Sequence, residues 1–134
     1  MLYLLTVLAA SVVAAPQEKD PLAGTWIVVS MERGGQPNPD AKDAVVTFAD
    51  GKMTITDKGQ QHTGNYKLDA SKKPATIDMV PGEGPEKGKT VKGLFSVDKG
   101  ELTLCLGKPD TDRPKALATK QGEETILIKL KKKP

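Results

Sequence analysis

Among the side chains that could act as a nucleophile, a base or a metal ligand, two types occur only once in the sequence. His62 is the only histidine and Cys105 the only cysteine in 134 residues, so neither a histidine metal cage nor a repeated imidazole proton relay is available. Cys105 stands between Leu104 and Leu106, where an isolated cysteine usually behaves as a small buried hydrophobe. We expect His62 to be solvated near a strand end and neither residue to be catalytic.

Two further stretches match ligand-binding motifs only in part. Gly-Lys-Thr at 88–90 ends like a phosphate-binding loop, but Glu83 stands where that motif needs a glycine, and a strand-like segment follows where it needs a helix. Asp110 and Asp112 offer fewer oxygens than the six or more that calcium takes. These acids and Arg113 are expected to fix the local backbone. We therefore predict no enzyme activity, no metal ion and no cofactor.

Charge is spread evenly along the chain. Lys and Arg number 20 against 17 Asp and Glu, which gives a formal charge of +3. This spread is typical of a solvated surface, whereas a nucleic-acid footprint gathers arginines and aromatics on one face. The lysine cluster at 129–133 is interpreted as a solvated tail, with a membrane-surface or anionic-partner patch as the alternative. We predict no nucleic-acid partner.

The first fifteen residues differ from the rest. MLYLLTVLAASVVAA is apolar apart from Thr6 and Ser11, ends in small residues, and gives way to the charged PQEKD. This pattern is typical of a secretory signal peptide, and the run is shorter than the about 20 residues that cross a bilayer. We expect cleavage after residues 1–15, one domain over 16–134, and export to the periplasm or the extracellular space without stable membrane insertion. An uncleaved anchor is the alternative.

The elements that position these side chains have the pattern of β-strands. Runs that favour β-structure recur about every 8 to 14 residues, and turn signals such as Asp50-Gly51 and Lys99-Gly100 suit two-residue hairpins. No convincing helical period appears after residue 22. The predicted strands are Gly24–Arg33, Ala44–Ala49, Lys52–Asp57, His62–Asp69, Ala75–Val80, Thr90–Asp98, Glu101–Gly107, Lys115–Thr119 and Thr125–Lys131.

Apolar side chains alternate with polar ones along these strands, so one face of the sheet is dry. Eight or nine antiparallel strands with one dry face favour an all-β up-and-down barrel, since closure removes exposed strand edges. Such an interior is either filled by side chains or holds one small ligand. The side chains predicted to line it and contact a ligand are Met53, Tyr66, Met79, Phe95 and Leu104. Gly64 and Gly93 are expected to leave room beside them.

The chain resembles a known family. Leu22-x-Gly24-Thr25-Trp26 is similar to the Gly-x-Trp signature of lipocalins and the wider calycin group. The ordered segments LAGTWIVVSMERGGQ, VTFADGKMTI, GNYKLDASKKPATIDM, GKTVKGLFSVDKGELTLCL and DRPKAL resemble a lipocalin-like family of unknown function that recurs in exported planctomycete proteins. The resemblance lends a fold and no established activity. The C-terminal helix and the disulfide common in secreted lipocalins are not evident here.

The resemblance also implies structural roles for a few residues. In such a barrel Gly24 begins the first strand, and Trp26 closes one end beneath a basic side chain from late in the sequence. Arg113 is the favoured candidate because guanidinium stacks on indole better than ammonium does, and Lys129 is the alternative.

Two functions remain open at this point. The first is a binding module whose barrel accepts one small apolar or amphipathic molecule, since the methionines at 31, 53 and 79 could adapt to varied ligands if Met31 also points inward. The second is a non-catalytic structural or protein-interaction domain of the cell envelope, with a filled core and with contacts through the outer strands or the loops at 34–43 and 81–89.

Overall fold

Short left-handed turns connect several pairs of consecutive strands in a computed structural model that describes residues 20–133. Asp50-Gly51, Lys58-Gly59 and Lys99-Gly100 all adopt positive φ angles, the geometry of hairpins whose twist matches that of the flanking strands. Each of these turns therefore makes two consecutive strands antiparallel neighbours. The predicted signal peptide at 1–15 lies outside the described residues.

The described residues form nine strands and one turn of 3-10 helix. The strands are β1 (Gly24–Arg33), β2 (Gln36–Pro37), β3 (Val45–Ala49), β4 (Lys52–Asp57), β5 (Gln60–Asp69), β6 (Ala75–Pro81), β7 (Val91–Asp98), β8 (Glu101–Leu106) and β9 (Ile126–Lys132), and the 3-10 turn spans Pro39–Ala41.

Eight of these strands close into a ring. β1 and β3 to β9 follow one another in sequence order, each antiparallel to the next, and β9 pairs back onto β1 from Trp26↔Lys132 to Arg33↔Ile126. A register shift between Val28 and Ser30 marks a bulge in this last ladder. β2 adds two residues beside the end of β1. The prediction of an all-β antiparallel barrel of eight to nine strands is confirmed.

The predicted strand Lys115–Thr119 is wrong. β8 pairs directly with β9 from Glu101↔Lys131 to Leu106↔Ile126, so the ring leaves no place for another strand between them. Residues 107–125, here called the strap, instead run across the outside of the barrel. The strap segment resembles a strand because Leu117 and Ala118 cover apolar side chains, but its backbone joins no ladder.

The strap covers a small outer cluster. Leu94, Cys105 and Leu127 are consecutive cross-strand partners on the outward face, yet Leu94 and Cys105 are buried. The thiol of Cys105 lies 3.6 Å from the carbonyl oxygen of Ala118. Cys105 is therefore buried as predicted, on the outer face of the barrel and beneath the strap.

The barrel has a closed end, formed by Leu22, Trp26 and Phe48, none of them more than 1% exposed. The indole Nε1 of Trp26 donates to the carbonyl of Leu22 at 2.9 Å, which satisfies its only polar group. The Lys132 ammonium lies over the indole, 4.8 Å from the ring centroid. Trp26 therefore occupies the position that the resemblance implied.

The basic residue that covers Trp26 is Lys132, and the expectation of Arg113 or Lys129 is wrong. Lys132 is the cross-strand partner of Trp26 and shares the inward parity of Leu130, whereas Lys129 has the opposite parity and is exposed. A side chain built on Gly24 would approach the Lys132 nitrogen to 2.7 Å. Gly24 thus makes room for the ammonium.

Arg113 has a different structural role, since it holds the strap against the barrel. Its Nη1 donates to the carbonyls of Gly93 at 3.0 Å and Ile77 at 3.2 Å, and it lies 2.8 Å from Oδ1 of Asp78. That carboxylate oxygen is buried and accepts no hydrogen bond within residues 20–133, so its lost hydration is offset by the charge of the guanidinium alone. The sequence predicted that Arg113 fixes the local backbone, but it did not predict that Asp78 is its ion-pair partner.

Candidate binding cavity

The barrel encloses an apolar cavity of about 150 Å³ above its closed end. It is lined by Val28, Met31, Ala41, Ala44, Val46, Met53, Ile55, Asp57, Met79, Leu104, Leu106, Ile128 and Leu130. Eleven of these are inward-facing residues of strands β1, β3, β4, β6, β8 and β9. The other two, Ala41 and Ala44, lie in the chain between β2 and β3. An apolar cavity of this volume has room for a molecule such as benzene.

Three of the five predicted ligand contacts line this cavity. Met53, Met79 and Leu104 belong to its wall, as does Met31, whose inward direction the sequence left conditional. Tyr66 and Phe95 are buried in the same core but do not line the cavity.

Tyr66 is part of the structure around the closed end. Its ring meets Phe48 edge to face, with centroids 5.0 Å apart and an interplanar angle of 83°, a favourable arrangement for aromatic rings. Its hydroxyl donates to the carboxylate of Asp20. Burial, the hydrogen bond to Asp20 and the charge of that carboxylate all raise the pKa of Tyr66 above its ordinary value of 10.0.

Phe95 borders a shallow recess on the outside of the barrel. The recess is shared with Pro74, Lys72 and Leu117 of the strap. Phe95 is nevertheless only 4% exposed. It fills the wall between the core and this recess.

The two glycines expected to leave room for a ligand have another role. A Cβ at Gly64 would lie 2.7 Å from the carbonyl oxygen of Val80, and one at Gly93 would lie 2.6 Å from that of Cys105. The space beside each glycine is therefore taken by the backbone of the neighbouring strand. These glycines allow close strand approach and do not enlarge the cavity.

A wider vestibule of about 470 Å³ opens above the cavity. Met53, Ile55, Met79 and Leu106 line both spaces, which places one directly over the other. Residues 83–86 of the loop after β6 form part of the vestibule wall. The loop after β6 therefore borders the mouth of the barrel.

Charged groups on the vestibule rim mostly neutralise one another. Lys108 pairs with Glu124 at 3.4 Å, and Glu86 pairs with Lys89 at 3.3 Å. His62, 58% exposed, contacts Glu83 at 3.2 Å, consistent with the solvated position expected for it. Such exposed pairs contribute little to stability, so the rim is a solvated border around an apolar opening.

Among the described residues, Asp57 is the one charged residue on the cavity wall. It ends β4 with the same inward parity as Met53 and Ile55 and is half-buried. Within residues 20–133, no cation lies within 4 Å of its carboxylate and no donor lies within hydrogen-bond distance of it. Asp57 was not among the predicted ligand contacts, although the alternation along β4 places position 57 on the same face as Met53 and Ile55.

The remaining candidate chemistry is accounted for by structure. Burial raises the pKa of the Cys105 thiol, which disfavours the reactive thiolate. Asp110 accepts a hydrogen bond from the backbone of Thr90 at 3.1 Å, so it fixes the strap as expected. Within the described part of the chain, no group of three or more His, Cys, Asp and Glu side chains could hold a metal ion.

Comparisons with known proteins identify no relative. No protein-family model, no curated protein and no solved structure matches the chain. Between residues 20 and 133 no helix has the length and apolar character needed to cross a membrane.

Proposed function

We propose that this protein is an exported, lipocalin-like binding protein that holds one small apolar or amphipathic molecule in its barrel. The observation that carries the proposal is the apolar cavity of about 150 Å³ beneath an open vestibule of about 470 Å³. An apolar group about the size of benzene fits the cavity, and a polar remainder fits the vestibule. Export is proposed on the strength of the apolar residues 1–15.

Flexible side chains in the wall favour a binding role. Met31, Met53 and Met79 all line the cavity. An unbranched thioether chain adapts to ligands of different shape. The surface alternative has less in its favour: Val29 and Val97, exposed by 45% and 38%, lie on β1 and β7, which β8 and β9 separate. They form no continuous apolar patch of the kind that marks a protein interface.

The cavity can be tested with methionine methyl groups as reporters. Three of the four methionines line it, so protein labelled with ¹³C-methyl methionine reports occupancy directly. Titration with toluene should shift the methyl resonances of Met31, Met53 and Met79 in a saturable way. Trp26 is a poor reporter because it lies at the closed end and does not line the cavity.

A matched pair of variants separates cavity binding from surface adsorption. Ala44→Leu adds three carbons to the cavity wall and should weaken toluene binding at least about tenfold. Ala49→Leu makes the same change at an exposed position at the end of β3 and should leave binding unchanged. Equal binding by both variants, or no saturable shift in the unaltered protein, would contradict the proposal.

A further inference from the structure

The carboxylate of Asp57 indicates the class of ligand that the cavity selects. The other twelve described residues of the wall are apolar, so within residues 20–133 Asp57 supplies the only charge that a molecule in the cavity meets. A half-buried carboxylate has lost part of its hydration and is stabilised by any hydrogen-bond donor that approaches it. Among the described residues the protein provides no such donor.

A single carboxylate suits an amine better than a metal ion. Calcium takes six to eight oxygen ligands, and magnesium also requires several, whereas the described residues offer no acidic cluster at this position. An ammonium group needs one carboxylate and forms a charge-assisted hydrogen bond with it. The cavity volume limits the group attached to the nitrogen to about the size of a benzene ring.

Among the charged side chains that line the vestibule, only Arg33 has no ion pair within residues 20–133. Arg33 lines the vestibule and not the cavity, and it is exposed. Solvent and salt screen an exposed charge more strongly than one on a partly buried wall. The stronger electrostatic preference is therefore that of Asp57, which favours a cation.

We propose that the protein binds small aryl or alkyl primary amines, with the apolar group in the cavity and the ammonium on the carboxylate of Asp57. This inference rests on the proposed binding function and specifies its ligand class. At pH 7 an alkyl amine is protonated and an aspartate is ionised. The complex then contains an ion pair that a neutral or anionic analogue cannot form.

Three probes of similar shape test the charge preference. Benzylamine, benzyl alcohol and benzoate share a phenyl ring and differ in charge at pH 7, and their binding is followed through the methyl resonances of Met31, Met53 and Met79. Benzylamine should bind at least about tenfold more tightly than benzyl alcohol, the effect of one hydrogen bond to a charged group. Benzoate should bind most weakly.

Two variants assign the preference to one residue. Asp57→Asn should lower benzylamine affinity by about tenfold or more and change benzyl alcohol affinity by less than about threefold. Glu101→Gln removes an exposed carboxylate at the far end of β8, outside both the cavity and the vestibule, and should leave the ranking unchanged. If Asp57→Asn does not fold, Asp57→Ser makes the same test, and the ranking in the unaltered protein stands as an independent one.

The outcomes distinguish this inference from the function on which it rests. Benzyl alcohol or benzoate binding as tightly as benzylamine would overturn the amine preference and leave the cavity function intact. Unchanged benzylamine affinity in Asp57→Asn would overturn the role of Asp57. If neither the three probes nor toluene shifts a cavity methyl resonance, both proposals fail.

Discussion

Single side chains at the closed end show how the barrel is sealed without a disulfide. The Lys132 ammonium covers the Trp26 ring and also donates to the carbonyl of Ala23 at 3.0 Å. Because Gly24 lacks a side chain, the ammonium can approach both groups. The glycine, the tryptophan and the lysine therefore act as one structural unit.

Removing the Lys132 ammonium should destabilise the protein modestly. Lys132→Met keeps the apolar stem, and we expect the free energy of unfolding to fall by about 0.5–1 kcal/mol, the value for an exposed cation–π pair. Urea unfolding followed by Trp26 fluorescence measures the change. Lys129→Met is the control, because that side chain is exposed on the same strand; an equal loss in both variants would contradict the role of Lys132.

The hydrogen bond between Tyr66 and Asp20 makes stability depend on pH. The folded protein holds the phenol proton more tightly than the unfolded chain does, since burial and Asp20 raise the pKa of Tyr66 above 10.0. The contribution is fully present below pH 10 and is lost as pH rises above it, because the unfolded chain loses this proton first. We expect the free energy of unfolding to fall more steeply with pH there than in Tyr66→Phe.

Urea unfolding between about pH 8 and pH 11 tests this expectation. The difference between the unaltered protein and Tyr66→Phe isolates Tyr66 from the lysines, which titrate in the same range. If the two stability curves stay parallel across that range, the folded and unfolded states hold the Tyr66 proton equally well and the assignment is wrong.

At the scale of elements, the strap is held to the outer face of the barrel by contacts at separate points along its length. Arg113 joins the strap to β6 and β7 through two carbonyls and Asp78, and Ala118 covers the thiol of Cys105. The strap lies outside the hydrogen-bonded ring. It can therefore open locally while the barrel stays closed.

Arg113→Ala should open the strap and expose Cys105. In the unaltered protein burial raises the pKa of the thiol, and a thiol reagent should react slowly because it needs the thiolate. We expect the variant to react at least about tenfold faster, as local opening becomes more frequent. Thiol labelling under native conditions measures the rate. Arg33→Ala at the mouth is the control, and equal rates in all three proteins would contradict this role for the strap.

Alternation along the chain predicted most strands but could not decide which of them join the ring. Eight of the nine predicted strands are present, because their inward residues form one dry face. The prediction of a strand at Lys115–Thr119 was wrong because a segment that covers apolar side chains on the outer face contains the same residue types as a strand. β2 was not predicted because a strand of two residues is too short to show an alternation of polar and apolar side chains.

The sequence predicted which side chains of the candidate site point inward, but not how far along the barrel axis each one lies. Period-two alternation placed Met53, Tyr66 and Phe95 on one face, but it holds no information on height along the barrel axis. In the structure Met53 lies on the cavity wall, whereas Tyr66 lies beside the closed end. The alternation pattern could not distinguish these two positions. Lys132 was interpreted as part of a solvated tail because its contact with Trp26 depends on closure between β1 and β9.

As a whole molecule, the barrel is sealed at one end and open at the other. The ladder between β1 and β9 leaves the ring without a free edge, so its backbone groups are satisfied without a disulfide from the single, buried Cys105. The strap covers one part of the outer face. Access to the interior is therefore left to the mouth between the ends of β4, β6 and β8.

The described chain both enters and leaves the barrel beside Trp26, since Asp20 contacts Tyr66 and Lys132 pairs with Trp26. A surface, bead or fluorophore coupled ahead of Asp20 or beyond Lys133 would thus sit on the side opposite the opening. Immobilised in either way, the molecule would present its entrance to solution. The proposed binding function can therefore be tested on immobilised protein whose mouth faces the solution.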